Sequence, residues 1–243
     1  MFKKLIARLV AGTGAPTCSA VIVAAGSARR MEGVDKIVSP LDGVPLIVHT
    51  LRAFQACDAV SEIVVVTRED LLVEIGKLCK DFSLYKVSKI LVGGAERIHS
   101  VRAGLRETRR DAELIAIHDG ARPFLSQQVL RDTIAAAGRT GAAAPAVEVT
   151  DTIKRVRDGA AEGTVDRASL RAVQTPQVFQ ADLIRAAIEK AITDGAAVTD
   201  DCAAVERLGM PVTLTEGDRR NIKITTPLDL TLGEAILHEG RQP

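Results

Sequence analysis

Short apolar runs rich in Val and Ile alternate along the chain with longer stretches whose apolar positions recur three or four residues apart. The runs at 19–25, 62–67, 89–92 and 114–118 predict strands, followed by further strands at 142–149 and 211–216. The first of these are continuously apolar, as expected of strands covered on both faces. Helical spacing predicts helices at 46–56, 70–80, 99–107, 127–140, 181–193, 200–208 and 227–238. Strand and helix in alternation mean βαβ crossovers. The expected fold class is α/β: a Rossmann-like, mostly parallel sheet with helices on both faces.

Segment 151–172 breaks the rhythm. Two polar, β-compatible limbs flank Asp158-Gly159, which reads as a hairpin outside the main sheet. A polar two-stranded element is not stable alone, so it is expected to project as a β-arm for dimerisation and lie against a second subunit. No repeat, low-complexity tract or linker divides the chain. The expected organisation is a basic, frayed leader at 1–18, then one domain over 19–243 with its arm at 151–172.

Composition narrows the function classes. Hydrophobic residues at 47% with 26% charged describe a soluble globular domain rather than a disordered chain. No uncharged apolar run reaches the roughly 18 residues of a membrane helix. Charge is nearly balanced, 32 Lys+Arg against 31 Asp+Glu, and aromatics are 2%, which argues against an extended nucleic-acid surface. An anionic partner must then be met by basic residues gathered at one place. Cys18, Cys57, Cys79 and Cys202 lack C-x-x-C spacing and the four histidines form no finger pattern. A structural zinc site is not expected, and the cysteine usage fits a reducing cytoplasm. The leader carries Lys3, Lys4 and Arg8 without an acid, but Arg8 interrupts the apolar stretch that a signal peptide requires.

In an open parallel sheet, ligands bind beyond the carboxyl ends of the strands. After the first strand come Ala24-Ala25-Gly26-Ser27-Ala28-Arg29-Arg30, then Lys36. Small residues let backbone N–H groups approach an anion, and the cations would neutralise phosphate. This is neither a G-x-G-x-x-G fingerprint nor a Walker loop. It could equally be a tight turn with solvated arginines. After the third strand, Gly93-Gly94 leaves room for a base or ribose, and Ser100 could reach a base edge. Asp119 ends the fourth strand, where a carboxylate beside phosphates is placed to hold Mg2+, while His118 reads as a packed strand-end residue. Thr150-Asp151-Thr152, Arg167 and Gln174-Thr175-Pro176-Gln177 present hydroxyls and a guanidinium on the arm. Thr199-Asp200-Asp201 reads as a helix N-cap. Lys223 sits in an otherwise apolar short strand, odd unless it faces an anion.

Taken in order, the stretches VIVAAGSARRM, GGAERIHSV, IHDGARPF, VTDTIK, TVDR, QTPQVF, VTDD and NIKITTPLDL make the chain resemble the 2-C-methyl-D-erythritol 4-phosphate cytidylyltransferases of non-mevalonate isoprenoid biosynthesis. The resemblance implies cytidylyl transfer from CTP to a polyol phosphate with release of pyrophosphate. By it, the Ala24, Ala25 and Gly26 loop would cradle the triphosphate with Arg30 and Lys36. Gly94, Arg97 and Ser100 would meet the nucleotide, and Asp119 would help hold Mg2+ or another divalent cation. Lys223 would meet the α-phosphate. Thr152, Arg167 and Thr175 would hold the sugar phosphate, the arm's residues coming from the partner of a homodimer.

Three departures stand out against that pattern: Asp35 precedes Lys36, Arg220 occupies a place often acidic with Asp218 the nearest alternative, and Ala95 stands where a polar residue is common. The rivals are a ribitol 5-phosphate cytidylyltransferase, a nicotinamide-dependent oxidoreductase and a non-catalytic nucleotide-binding protein. The substrate phosphate oxygen is already anionic, so the expected chemistry needs no general base and rests on positioning and charge stabilisation.

Overall fold

A computed structural model describes residues 17–26 and 35–239. The central sheet has eight strands. Its parallel part comprises β1 (Cys18–Val23), β4 (Val60–Thr67), β5 (Val87–Val92) and β6 (Leu114–Asp119). β2 (Pro40–Leu41) and β3 (Val44–Pro45) form a small hairpin of their own. β7 (Ala142–Glu148) pairs antiparallel with β10 (Arg171–Val173) and β11 (Gln177–Gln180), and parallel with β12 (Thr213–Glu216). β11 joins the two halves by pairing antiparallel with β6.

The continuous apolar runs have the consequence that periodicity demands: successive side chains point to opposite faces. Ala20, Ile22, Leu114 and Ala116 enter one buried cluster, and Val21, Ile115 and Ile117 enter the other. The first face is covered by α1 (Leu46–Gln55), α2 (Leu72–Asp81) and α4 (Gln127–Thr140). The second is covered by α3 (Arg97–Glu107), α5 (Ala181–Thr193) and α6 (Asp201–Glu206). Each Val, Leu or Ile fully withdrawn from water there contributes about 1.5–3 kcal/mol. α7 (Pro227–Glu239) ends the described chain. No helix among the described residues is long and apolar enough to cross a membrane.

Boundaries follow local chemistry. Ser126 caps α4 by accepting from Val129 N at 3.2 Å, so this helix starts where the sequence predicts. The helix predicted at 70–80 opens instead as a 3-10 turn, Glu69–Leu71, before α2. The arm is β8 (Lys154–Arg157) and β9 (Ala160–Thr164), a separate two-stranded sheet whose residues are all exposed. Asp158 and Gly159 both have positive φ, 48° and 81°, the backbone of a type I′ turn, which glycine adopts at no steric cost. The returning limb does not stay outside the core sheet: Arg171 and Ala172 already belong to β10. Residues 221–225 form no strand; Lys223 lies in an irregular link into α7.

Candidate functional site

β6 is buried along its whole length and ends at Asp119. In the register of the sheet, Asp119 lies opposite Val23, so it stands where the Ala24–Ala25–Gly26 turn leaves β1. Three cations meet its carboxylate. Lys223 Nζ is 2.8 Å from Oδ2, Arg97 Nε 3.6 Å from Oδ1 and Arg122 Nε 3.7 Å from Oδ2. Burial alone would raise the Asp119 pKa, but Lys223 and then Arg97 outweigh it and push it down to about 2. Asp119 is therefore an anion at neutral pH.

Lys223 is held there by its neighbours in sequence. Asn221 is fully buried and donates through Nδ2 to Thr175 O at 2.9 Å, while its own carbonyl accepts from Arg122 at 2.7 Å. Ile224 is fully buried and its N–H donates to Ala121 O at 2.9 Å. The Ile224 carbonyl accepts from Lys36 Nζ at 3.1 Å, which brings a lysine 188 positions away to the same rim.

Behind Asp119 lies a buried relay of hydrogen bonds. His118 Nε2 is 3.1 Å from the Arg122 carbonyl, an acceptor, so Nε2 carries the proton and Nδ1 accepts from the Thr175 hydroxyl at 3.0 Å. That hydroxyl accepts in turn from Asp119 N at 3.2 Å. Burial lowers the His118 pKa to about 4, and the ring packs edge-on against Phe54, with centroids 5.1 Å apart. A neutral imidazole with both nitrogens engaged is no general base, in keeping with its reading as a packed strand-end residue. Thr175 is buried in this relay, so its hydroxyl orients Asp119 from behind within a single chain.

The glycine turn after β5 packs against the β1 loop. A Cβ on Gly93 would lie 2.5 Å from Ala25 Cβ and 2.6 Å from Ser100 Oγ, so only glycine fits. Ser100 is buried and its Oγ accepts from Gly94 N at 3.1 Å, stapling the turn. Arg97 makes a two-pronged pair with Asp201, NH1 to Oδ1 at 2.9 Å and NH2 to Oδ2 at 2.7 Å. Asp200 does cap α6, accepting from Ala203 N at 2.8 Å. Gln177 adds a second cap, its Oε1 accepting from Asp201 N and Cys202 N, both at 3.0 Å.

The remaining sequence candidates are placed as follows. Thr152 and Arg167 are exposed on the arm, and Arg167 donates to Thr150 O at 2.7 Å. No hydrogen bond or ion pair joins either to the Asp119 cluster within one chain, among the described residues. Arg30 lies outside the described residues, as do the leader positions 1–16. Asp35 does not face Lys36 as an ion-pair partner: its carboxylate pairs with Arg68, which also holds Asp70 at 2.8 Å. Arg220 spans Asp218 at 3.2 and 3.0 Å, so the alternative carboxylate is already engaged. Ala95 is exposed. Sequence reasoning missed Arg122, Asn221, Gln177 and the Arg97–Asp201 pair. Arg122 alone left a local signal, three residues beyond Asp119.

No group of three or more His, Cys, Asp or Glu side chains among the described residues is arranged to hold a metal. A single ionised carboxylate at the rim is nevertheless a fitting donor for Mg2+, which binds through one or two carboxylates together with substrate phosphates and water.

Comparison with known proteins identifies the family. The family described as IspD, 2-C-methyl-D-erythritol 4-phosphate cytidylyltransferase, matches residues 18–239. A relative of that name from Geobacillus thermodenitrificans is 47% identical over 222 residues, covering 90% of this chain and 96% of its own. The solved 4-diphosphocytidyl-2C-methyl-D-erythritol synthase of Anaerococcus prevotii superposes with a TM-score of 0.82 at 30% identity, covering 92% of this chain and 97% of that one. The solved 2-C-methyl-D-erythritol 4-phosphate cytidylyltransferase of Thermus thermophilus gives 0.75 at 34% identity, covering 90% and 98%. The chain belongs to the 2-C-methyl-D-erythritol 4-phosphate cytidylyltransferase family.

Proposed function

We propose that the rim around Asp119 is where this chain carries out its family's reaction. That reaction transfers the cytidylyl group of CTP to 2-C-methyl-D-erythritol 4-phosphate, giving 4-diphosphocytidyl-2-C-methyl-D-erythritol and pyrophosphate, a step of isoprenoid biosynthesis. The observation that carries the site assignment is convergence: Arg97 and Lys223 come from distant parts of the chain to the Asp119 carboxylate beside the nearby Arg122, and Lys36 reaches the Ile224 carbonyl next to Lys223.

In this reading Ala24, Ala25 and Gly26 cradle the triphosphate with Arg30 and Lys36, while Gly94 and Ser100 bound the cytosine site and Arg97 stands at its edge. Asp119 holds a divalent cation, which supplies charge neutralisation between triphosphate and phosphomonoester. Two like charges 4 Å apart repel by about 4 kcal/mol at an effective dielectric near 20, so cations at this rim act where repulsion is largest. Lys223 leaves Asp119 for the α-phosphate as the substrate phosphate oxygen forms its bond to α-phosphorus and pyrophosphate departs. No proton has to be removed from the attacking oxygen, which suits a rim whose His118 is neutral and buried.

Thr152 and Arg167 grip the sugar phosphate from the arm of a second copy, with Thr175 holding the carboxylate end of the site. The exposure of the whole arm, including Val156 at 66%, supports a homodimer. One catalytic domain with its arm, working in the cytoplasm, accords with four free cysteines. Pyrophosphate release with CTP and Mg2+ tests the substrate: the methylerythritol phosphate supports turnover and ribitol 5-phosphate does not. The reverse preference would move the chain to the ribitol enzymes.

A further inference from the structure

Arg97 is connected to two carboxylates of different kinds. Asp201 is 1% exposed in its side chain and takes both terminal nitrogens of the guanidinium, leaving only Nε turned to Asp119. Asp201 is itself fixed, because Gln177 holds the first two N–H groups of α6 and donates through Nε2 to Asp200 at 2.8 Å. A guanidinium fork fits a carboxylate in the plane, and such bidentate pairs set orientation as well as energy.

We infer that Asp201 is a positioning residue that holds the Arg97 fork off Asp119, leaving only the single Nε contact at Oδ1 for a divalent cation to displace. Without the clamp, Arg97 would turn its two-nitrogen edge onto Asp119 and compete with the metal. Outer partners of this kind alter metal affinity without touching the ion. The inference rests on the reading of Asp119 as the metal carboxylate.

The test is calorimetry of CTP binding with the sugar phosphate withheld, so that no turnover occurs. Its readout is the ratio of the CTP dissociation constant in EDTA to that in Mg2+, in which nucleotide contacts independent of metal cancel. Asp201→Asn is expected to lower this ratio about tenfold. Adding Arg97→Met to Asp201→Asn is expected to restore most of it, because the competing cation is gone. A merely structural role predicts the opposite, since a second buried substitution would add damage. If Asp201→Asn does not fold, Arg97→Lys carries the same test: a lysine keeps the charge, gives up the fork and is free to lie on Asp119. An unchanged ratio in Asp201→Asn or Arg97→Lys overturns the clamp, as does a double variant no better than the single. Asp119→Asn is the separating control. If its ratio equals that of the unaltered protein, Asp119 holds no metal and both readings fall. If its ratio collapses while Asp201→Asn leaves it unchanged, only the clamp falls.

Discussion

Asp119 and Arg167 are both candidate site residues, and the chain holds them by opposite means. Asp119 ends a buried strand, is braced from behind by Thr175 and His118, and is met by three cations, two of them, Arg97 and Lys223, from distant segments. Arg167 sits on an exposed limb, hydrogen-bonded to the arm's own Thr150. The rim is thus organised by the core of one chain, whereas the arm, by the proposal above, presents its chemistry to a second copy. Preorganised charge acts without reorganisation at the moment of reaction. A projecting hairpin, in the proposed dimer, would instead gain its geometry on docking.

The largest effect that sharpens this contrast is at the rim. Lys223→Ala is expected to lower kcat by about 10²–10³-fold while the melting temperature changes little, as measured by steady-state kinetics and calorimetry. A loss confined to KM would show that Lys223 only binds nucleotide. On the arm, Arg167→Ala is expected to raise the KM for the sugar phosphate by about 10–100-fold with CTP binding spared. Equal weakening of both substrates would break the division of labour.

Stability separates the two regions as well. Ile224→Ala is expected to cost about 2–5 kcal/mol in denaturant unfolding, because a fully buried side chain leaves a cavity beside Lys223. Val156→Ala, on the exposed arm, is expected to stay within about 0.5 kcal/mol for the isolated chain.

Much of this was legible in the sequence, for identifiable reasons. α4 coincides with its prediction because Ser126 and Gly141 mark its ends. The parallel strands are visible because strands covered on both faces are apolar throughout. β10 and β11 are missed: the first is three exposed residues, and the second is four residues ending in glutamines, too short for any period to declare itself. Asp119 and Lys223 announce themselves as charges in apolar surroundings. The Arg97–Asp201 pair spans 104 positions and left no trace in local pattern, since Asp201 looks like any acid in a helix's first turn. The acid beside Lys36 looked like a defect in the sequence, yet Arg68 takes it.

Stability is also expected to depend on pH. His118 is buried neutral, with its pKa lowered by burial from 6.5 to about 4. The unfolded chain therefore binds more protons between those values, and stability is full above about 6.5 and declines as pH falls toward 4. Asp119, lowered from 3.8 to about 2, adds a further loss only below about 4. Chemical denaturation across pH is expected to show this slope, and His118→Gln to flatten its upper part.

The comparison of rim and arm is tested most directly by mixing Lys223→Ala and Arg167→Ala subunits at a sugar phosphate concentration well below the raised KM, where each is nearly inactive alone. If the arm serves the partner's rim, random re-pairing puts both defects in one site of a mixed dimer and leaves the other intact. About a quarter of normal activity should then return. No recovery, with mixed dimers demonstrated by mass, would mean that each arm serves its own rim and that the account of a site completed by a second copy is wrong.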